Sequence, residues 1–509
     1  MLLTNFCYSV VIHNIFNNII THTNMTIKDL KPELIWQIFD EITKVPRPSK
    51  KEEKIRQFLL DFAKKNNIQT KTDKIGNVVM LAPATPGYEN TPTVILQGHM
   101  DMVCEKNSNI QHDFDKDPIK TIIDGEWVKA EGTTLGADNG IGMAAMLAVM
   151  VSKDITHGPI EALFTIDEET GLTGACKLGK NMLSGNILLN LDSEDEAEIF
   201  IGCSGGIDTT AVFKFKRAIA PENFHYFKVD FTNMLGGHSG TDIDKGRANA
   251  NKLMARFLWC IMQCYEVEIS SISGGNLRNA IAREASVVFG IHSAKKEELR
   301  VKLNHFIADV ENEYKGIENI KIVAETIEKP EYCIDTNTAT ALVRALYCCP
   351  HGVISMDKNI PGLVETSTNL ASVKMLSDNQ ILVTTSQRSA VGSRKLDIAQ
   401  QIEALFQLAG AEVTHGDGYP GWAPNVNSPI LKTACKAYED LYGVTPAVKA
   451  LHAGLECGMF LENNPKLDMI SFGPTLRDVH SPDEKMHIPA VEKFWNHLVK
   501  ILEMVAKNK

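Results

Sequence analysis

Five stretches of the chain place acids or histidines where apolar runs stop or glycine turns begin. ILQGHMDM carries His99 and Asp101, LGADNGIG carries Asp138, LFTIDEETG carries Glu168 and Glu169, LLNLDSED carries Asp192, and DVHSPDE carries His480. Taken singly, a strand-end aspartate is a turn former and a histidine in a turn is a solvated side chain. Taken together, two histidines and three carboxylates suit a site for two divalent ions with one carboxylate bridging, because imidazole and carboxylate both ligate zinc. Two such ions, about 3.5–4 Å apart, allow a shared water to be deprotonated near neutral pH while one ion polarises a carbonyl. In extended backbone His99 and Asp101 point to the same side, so Asp101 can accept the other ring N–H of His99 and fix its tautomer. Glu168 and Glu169, as neighbours at a strand end, face opposite ways. One of them can therefore ligate while the other takes a proton from the water as general base.

These side chains need a scaffold that brings strand ends together. Helical spacing predicts amphipathic helices in PELIWQIFDEI and KEEKIRQFLLDFAKK, the second with a stripe of Ile55, Phe58, Leu59 and Phe62. Strands are expected in GNVVMLA, TVILQGH, IEALFTID and NILLNLD, the last two apolar enough to be buried on both faces. A helix over Asn139 to Ser152 separates them. Alternating strands and helices predict an α/β sheet with helices on its faces, and such sheets bind ligands beyond the carboxyl ends of their strands. After Gly205-Gly206 the pattern changes to FHYFKVDFTN, RANANKLMARFLWCIMQCYE, SVVFGIH and a second series of strands and helices, which reads as an independent α+β unit. The Gly/Pro-rich GDGYPGWAP closes it.

With 52 basic against 63 acidic residues, the net charge is −11, spread along 509 residues. That disfavours nucleic acid as a partner. No segment holds the ~18 uninterrupted apolar residues of a membrane span. Eleven cysteines without a CxxC or a disulfide-like framework read as reduced thiols. GADNGIGMAAM resembles a dinucleotide-binding glycine pattern only superficially, since the spacing is not GxGxxG and no acid follows at the expected distance.

In order and spacing, GHMDMVCEK, LGADNGIG, DEETGLTGA, LLNLDSEDE, GGHSGTDI, LHAGLECGMF and the final HSPDE resemble the M20 metallopeptidases, and within them the aminoacyl-histidine dipeptidase group. The resemblance runs from about Met25 to the C-terminus. It implies a zinc-peptidase-like catalytic domain, α/β with a central mixed sheet flanked by helices, and an inserted α+β lid. It also implies two Zn²⁺ per subunit, with Co²⁺ or Mn²⁺ as alternatives. Asp138 would bridge them, His99 and Asp192 would complete one site, and Glu169 and His480 the other. Glu168 would be the base, with Asp101 supporting His99. From the lid, His238 would polarise the scissile carbonyl, and Asn279 and Arg388 would hold the substrate's C-terminal carboxylate.

Because His480 lies far beyond the other ligands, the chain must leave and return to one sheet. Residues 25–205 and 422–509 are expected to form a discontinuous catalytic domain and 206–421 an inserted lid and dimerisation domain. LHAGLECGMF, with His452 and Glu456, falls in the returning half. The function so implied is hydrolysis of short unblocked dipeptides, Xaa-His dipeptides such as β-alanyl-histidine among them, by a cytoplasmic homodimer joined through the lid. Removal of an acyl group from N-acyl amino acids is the alternative within the family. Residues 1–24 fall outside the resemblance, lack the basic start of a signal peptide, and suggest Met25 as the true start.

Overall fold

Near-continuous apolar runs can be strands only where both faces are covered. In the computed structural model, which describes residues 25–508, Val94–His99 and Ile160–Thr165 are such runs, buried along their whole length. The expectation about residues 1–24 lies outside the described residues. The strands belong to an eight-stranded mixed sheet in the order Gln69–Thr72, Val78–Ala82, Ile160–Thr165, Val94–His99, Ile187–Asn190, Asp468–Ser471, Glu198–Cys203, Ala447–Leu451. The third to sixth of these run parallel, so their carboxyl ends open on one edge of the sheet.

Helix Ala137–Val151 is buried nearly all round, the pattern of a helix enclosed by protein rather than lying at a surface. Its first turn is irregular: Asp138 and Asn139 have non-helical dihedrals. Helices Glu33–Thr43 and Glu53–Lys65 form where helical spacing predicts them. In the second, however, the buried line is Ile55, Leu59 and Ala63. Phe58 and Phe62 sit half-buried at its margin, ring to ring at 6.4 Å, because the small Ala63 occupies the innermost position of the last turn.

The chain divides into two compact units. The first takes the described residues up to Ile201, then Asn425–Lys449 and the residues from Phe460 on; the second takes Gly202–Pro424 and Ala450–Met459. The stretch 450–459, expected in the returning half of the first, thus belongs to the second. There Ser204 N–H donates to the carbonyls of Leu451 and Ala453, and His452 Nε2 lies 2.7 Å from Ser367 Oγ. These are tertiary contacts that linear order does not display.

The second unit is built on a nine-stranded antiparallel sheet. Its elements repeat. Strand Phe224–Thr232, helix Ala250–Met262, strands Val267–Gly274 and Ala285–His292, helix Lys296–Glu313 and strand Lys321–Ile327 form one βαββαβ motif. Strand Gly205–Lys214, helix Thr336–Cys348, strands Val364–Leu376 and Gln380–Ser389, helix Gly392–Leu408 and strand Glu412–His415 form another, with Gly352–Met356 as an added strand. Numbered within each motif, the strands lie in the order 4-1-3-2 and then 2-3-1-4, with the two second strands meeting antiparallel at Gly274 and Val373. The two motifs are therefore related as by a two-fold axis. One apolar core runs through both, with Phe227, Phe257 and Phe289 from the first and Phe213 and Phe406 from the second.

Candidate metal centre and anion-binding cluster

The sequence-predicted residues of the first unit converge at the carboxyl ends of the parallel strands. His99 ends its strand, Asp192 follows Ile187–Asn190 by two residues, and Asp138 comes from the irregular first turn of Ala137–Val151. His480 stands in a turn at φ 61°. Glu168 and Glu169 do not continue a strand, as alternation would need. Strand Ile160–Thr165 stops short of them, Asp167 turns the chain at φ 48°, and both glutamates open a four-residue helix. Their separation therefore comes from the turn geometry.

The distances define two groups that share one carboxylate. His99 Nε2 is 3.0 Å from Asp138 Oδ1 and 3.4 Å from Asp192 Oδ1. His480 Nε2 is 3.1 Å from Asp138 Oδ2 and 3.0 Å from Glu169 Oε2. Asp138 thus shows one oxygen to each histidine. The ligand atoms of His99, Asp138 and Asp192 lie within 4.8 Å of one another, as do those of Asp138, Glu169 and His480, and also those of His99, Glu168 and Glu169.

Asp101, fully buried, accepts from the backbone N–H of Glu168 at Oδ1 and of Glu169 at Oδ2, 3.1 and 3.2 Å away, and from Ser49 Oγ at 2.8 Å. Its Oδ1 is 3.3 Å from His99 Nδ1, a contact that is close but not aligned as a hydrogen bond. One carboxylate therefore holds the turn bearing both glutamates beside the His99 ring. Ser49 carries no signal in the sequence, because a lone Ser after Pro-Arg-Pro looks like any loop residue.

The site's electrostatics call for positive charge. Burial raises Asp138, but hydrogen bonding to His480 and His99 outweighs it and holds the carboxyl below its ordinary range. Asp192 is pushed up to about 7 by burial, with Asp138 and Glu169 repelling its charge. His480 is raised to about 11 by Asp138 and Glu169, and His99 rises well above its usual value against the opposing effect of burial. Glu169 Oε1 and Asp192 Oδ1 are buried oxygens with no hydrogen-bond donor. Acceptor-only carboxylates and imidazoles in this arrangement fit divalent cations of the zinc class.

In the second unit, His238 sits in a turn made by Gly236 and Gly237 at φ 67° and 133°. Its Nδ1 accepts from the N–H of Gly240 and Thr241 at 3.2 and 3.1 Å. The proton must then be on Nε2. Burial and the Arg388 charge lower its pKa to about 4, so the ring is a neutral donor at physiological pH. Arg388 is 7% exposed and donates to Tyr419 Oη at 2.8 Å and more weakly to Ser239 Oγ at 3.4 Å. Among the described residues no carboxylate pairs with it. His452 is buried nearby in the same unit, lowered to about 3 by burial, Arg388 and His238. Asn279 is exposed beside the His238 turn, its carbonyl accepting the Ser239 N–H at 2.8 Å. A buried guanidinium among neutral rings, unmatched by an acid, is a receptor for an anion.

A mixed α/β sheet with a two-group carboxylate–histidine centre at its strand ends defines a metal-dependent hydrolase class. The profile of peptidase family M20/M25/M40 matches residues 95–504, and the chain belongs to that family. It is 40% identical over 480 residues to the cytosol non-specific dipeptidase of Escherichia coli K12, covering 94% of this chain and 99% of that one. It superimposes on the aminoacylhistidine dipeptidase of Vibrio alginolyticus with a TM-score of 0.88 at 42% identity, covering 95% and 99% of the two chains. A tripeptidase of Staphylococcus aureus shares the fold at a TM-score of 0.56 and 17% identity, covering 94% of this chain and all of its own. M20 peptidases are metal-dependent hydrolases of peptide bonds, and the expected fold and family are thereby established.

Proposed function

We propose that the protein is a dinuclear-zinc dipeptidase that hydrolyses short unblocked dipeptides, Xaa-His dipeptides such as β-alanyl-histidine among them. The observation that carries this reading is Asp138 lying between two histidines, each with a further carboxylate of its own. The names of the E. coli and Vibrio relatives support the substrate class.

His99, Asp138 and Asp192 hold one ion, and Asp138, Glu169 and His480 the other; Co²⁺ and Mn²⁺ suit the same donors. When bound, the ions supply Lewis acidity toward a carbonyl and lower the pKa of water. Glu168, not used as a ligand, takes the proton of the attacking water and returns it to the departing amine. Asp101 holds the Glu168–Glu169 turn and the His99 ring in register. His238 donates its Nε2–H to the oxygen on which negative charge develops. Arg388 receives the substrate's C-terminal carboxylate, with Asn279 alongside and His452 and Tyr419 shaping its surroundings. A cytoplasmic location and a homodimer through the second unit belong to the same reading. A fully active monomer by light scattering would remove the dimer from it.

The test is hydrolysis of carnosine, other Xaa-His peptides and N-acetylated controls before and after chelation and zinc return. Zinc-restored cleavage of the free dipeptides alone is expected. Cleavage of the acylated controls instead would make the protein a deacylase, and silence throughout would overturn hydrolysis.

A further inference from the structure

Glu484 stands four residues after His480 and is 2% exposed. Its carboxylate accepts four consecutive backbone N–H groups. Oε2 receives those of Leu135 and Gly136 at 2.7 and 2.9 Å, and Oε1 those of Ala137 and Asp138 at 2.8 and 3.3 Å. The last is the amide of the residue shared by the two ligand groups. Asp138 and His480 are therefore joined twice, by their side chains and by the Glu484 carboxylate gripping the backbone that carries Asp138.

Arg47, also 2% exposed, completes the arrangement from the other side. Nη1 donates to the carbonyls of Met100 and Asp101 at 3.3 and 2.6 Å, and Nη2 donates to the carbonyl of Gly136. Room for this exists because residue 136 is glycine at φ 67°: a Cβ there would lie 2.6 Å from Arg47 Nη2. Three loops, those of His99–Asp101, Asp138 and His480, are thus tied at one turn by a buried cation and a buried anion. Strand Lys485–His487, which follows Glu484 directly, is paired with Trp127–Ala130, so the anchor is itself fixed.

We propose that Glu484, with Arg47, is a positioning residue for the divalent-ion centre, locking the Leu135–Asp138 backbone against the His480 turn so that Asp138 offers one oxygen to each histidine. The inference rests on the dinuclear reading above. Replacing the carboxylate by an amide sets an NH₂ group against backbone N–H donors, removing acceptors without removing volume. Outer partners of ligands are worth roughly 10–100-fold in metal affinity.

The experiment is zinc affinity by chelator competition on the full chain, with thermal melts in chelator, for wild type, Glu484→Gln, Glu484→Asp and Glu161→Gln. Glu161 is a matched control: it is 4% exposed and accepts three hydrogen bonds from Ser184 and Gly185, and the proposed mechanism does not use it. Glu484→Gln is expected to keep a cooperative melt and bind zinc about 10–100-fold more weakly, and Glu484→Asp to fall between it and wild type. Glu161→Gln is expected to melt earlier with wild-type zinc affinity. Unchanged affinity in Glu484→Gln, an equal loss in Glu161→Gln, or failure of both Glu484 variants to fold would overturn the positioning role. Wild type that binds two zinc ions without cleaving dipeptides would overturn the proposed function while leaving this comparison decisive.

Discussion

Glu168 and Glu169 have the same chemistry and adjacent positions, yet one meets His480 and the other does not ligate in the proposed reading. Replacing Glu168 by Ala should leave zinc stoichiometry intact and lower kcat by about 10²–10⁴-fold, the range of a lost general base. Unchanged turnover with metal retained would sink the assignment. Arg388→Ala should raise KM for free dipeptides with a smaller effect on kcat, the signature of lost ground-state binding. Arg388→Lys should restore little, because an ammonium does not reproduce the planar fork. A KM unchanged in both would remove Arg388 from substrate recognition. At this scale the candidate ligands that the fold brings together were legible because histidine and carboxylate near strand ends form a recognisable set. Ser49, Arg47 and Glu484 were not, because they act on backbone amides and carbonyls, which leave no pattern of residue types.

Elements place these side chains through close backbone approach as much as through hydrophobic burial. Helix Ala137–Val151 lies so near the end of its neighbouring strand that a Cβ on Gly142 would be 2.3 Å from Asn139 Oδ1 and 2.6 Å from the Leu191 carbonyl. The Asn139 side chain donates to that same carbonyl at 2.7 Å. Gly142→Ala should therefore destabilise the fold by about 1–3 kcal/mol, as overpacking does, and weaken zinc binding through Asp138 and Asp192 on either side. Equal Tm and zinc affinity would show that the contact relaxes freely. Strands such as Val94–His99 and Ile187–Asn190 and helices such as Glu53–Lys65 were readable from periodicity, whereas Val364–Leu376, rich in Thr, Ser and Asn, was not. The Asp167 turn was not: apolar character fades gradually through Ile166, whereas the backbone reverses abruptly once Asp167 accepts from Thr170 and Thr173.

For the whole molecule, acid stability is set partly by histidines buried in their neutral form. His497 is 3% exposed, its Nε2 lies 2.8 Å from the Ala434 carbonyl, and burial lowers its pKa to about 4 against weaker opposition from that bond and Glu196. An unfolded chain takes up a proton there from about pH 6.5 downward, whereas the folded one does not until about 4. This ring's contribution to stability is thus whole above pH 6.5 and is lost as pH falls through this window, by up to about 3 kcal/mol. His497→Gln should flatten the fall in Tm between pH 6.5 and 4 by about one proton's worth of slope; an unaltered slope would show that the ring does not control it. At this scale the sequence indicated that the chain leaves one sheet and returns to it. It concealed that residues 450–459 pack with the second unit, and that this unit is a motif built twice. The first copy is inserted between the opening strand and first helix of the second copy, which breaks any tandem spacing. Two motifs facing each other across equivalent strands have the form of a symmetric pair, but here they are held at fixed one-to-one ratio on a single polypeptide. The proposed substrate-binding residues divide between the halves: His238 and Asn279 belong to one, Arg388 to the other. The edges at which the two motifs meet, Val267–Gly274 and Val364–Leu376, are paired within one chain, so dilution cannot separate the two halves.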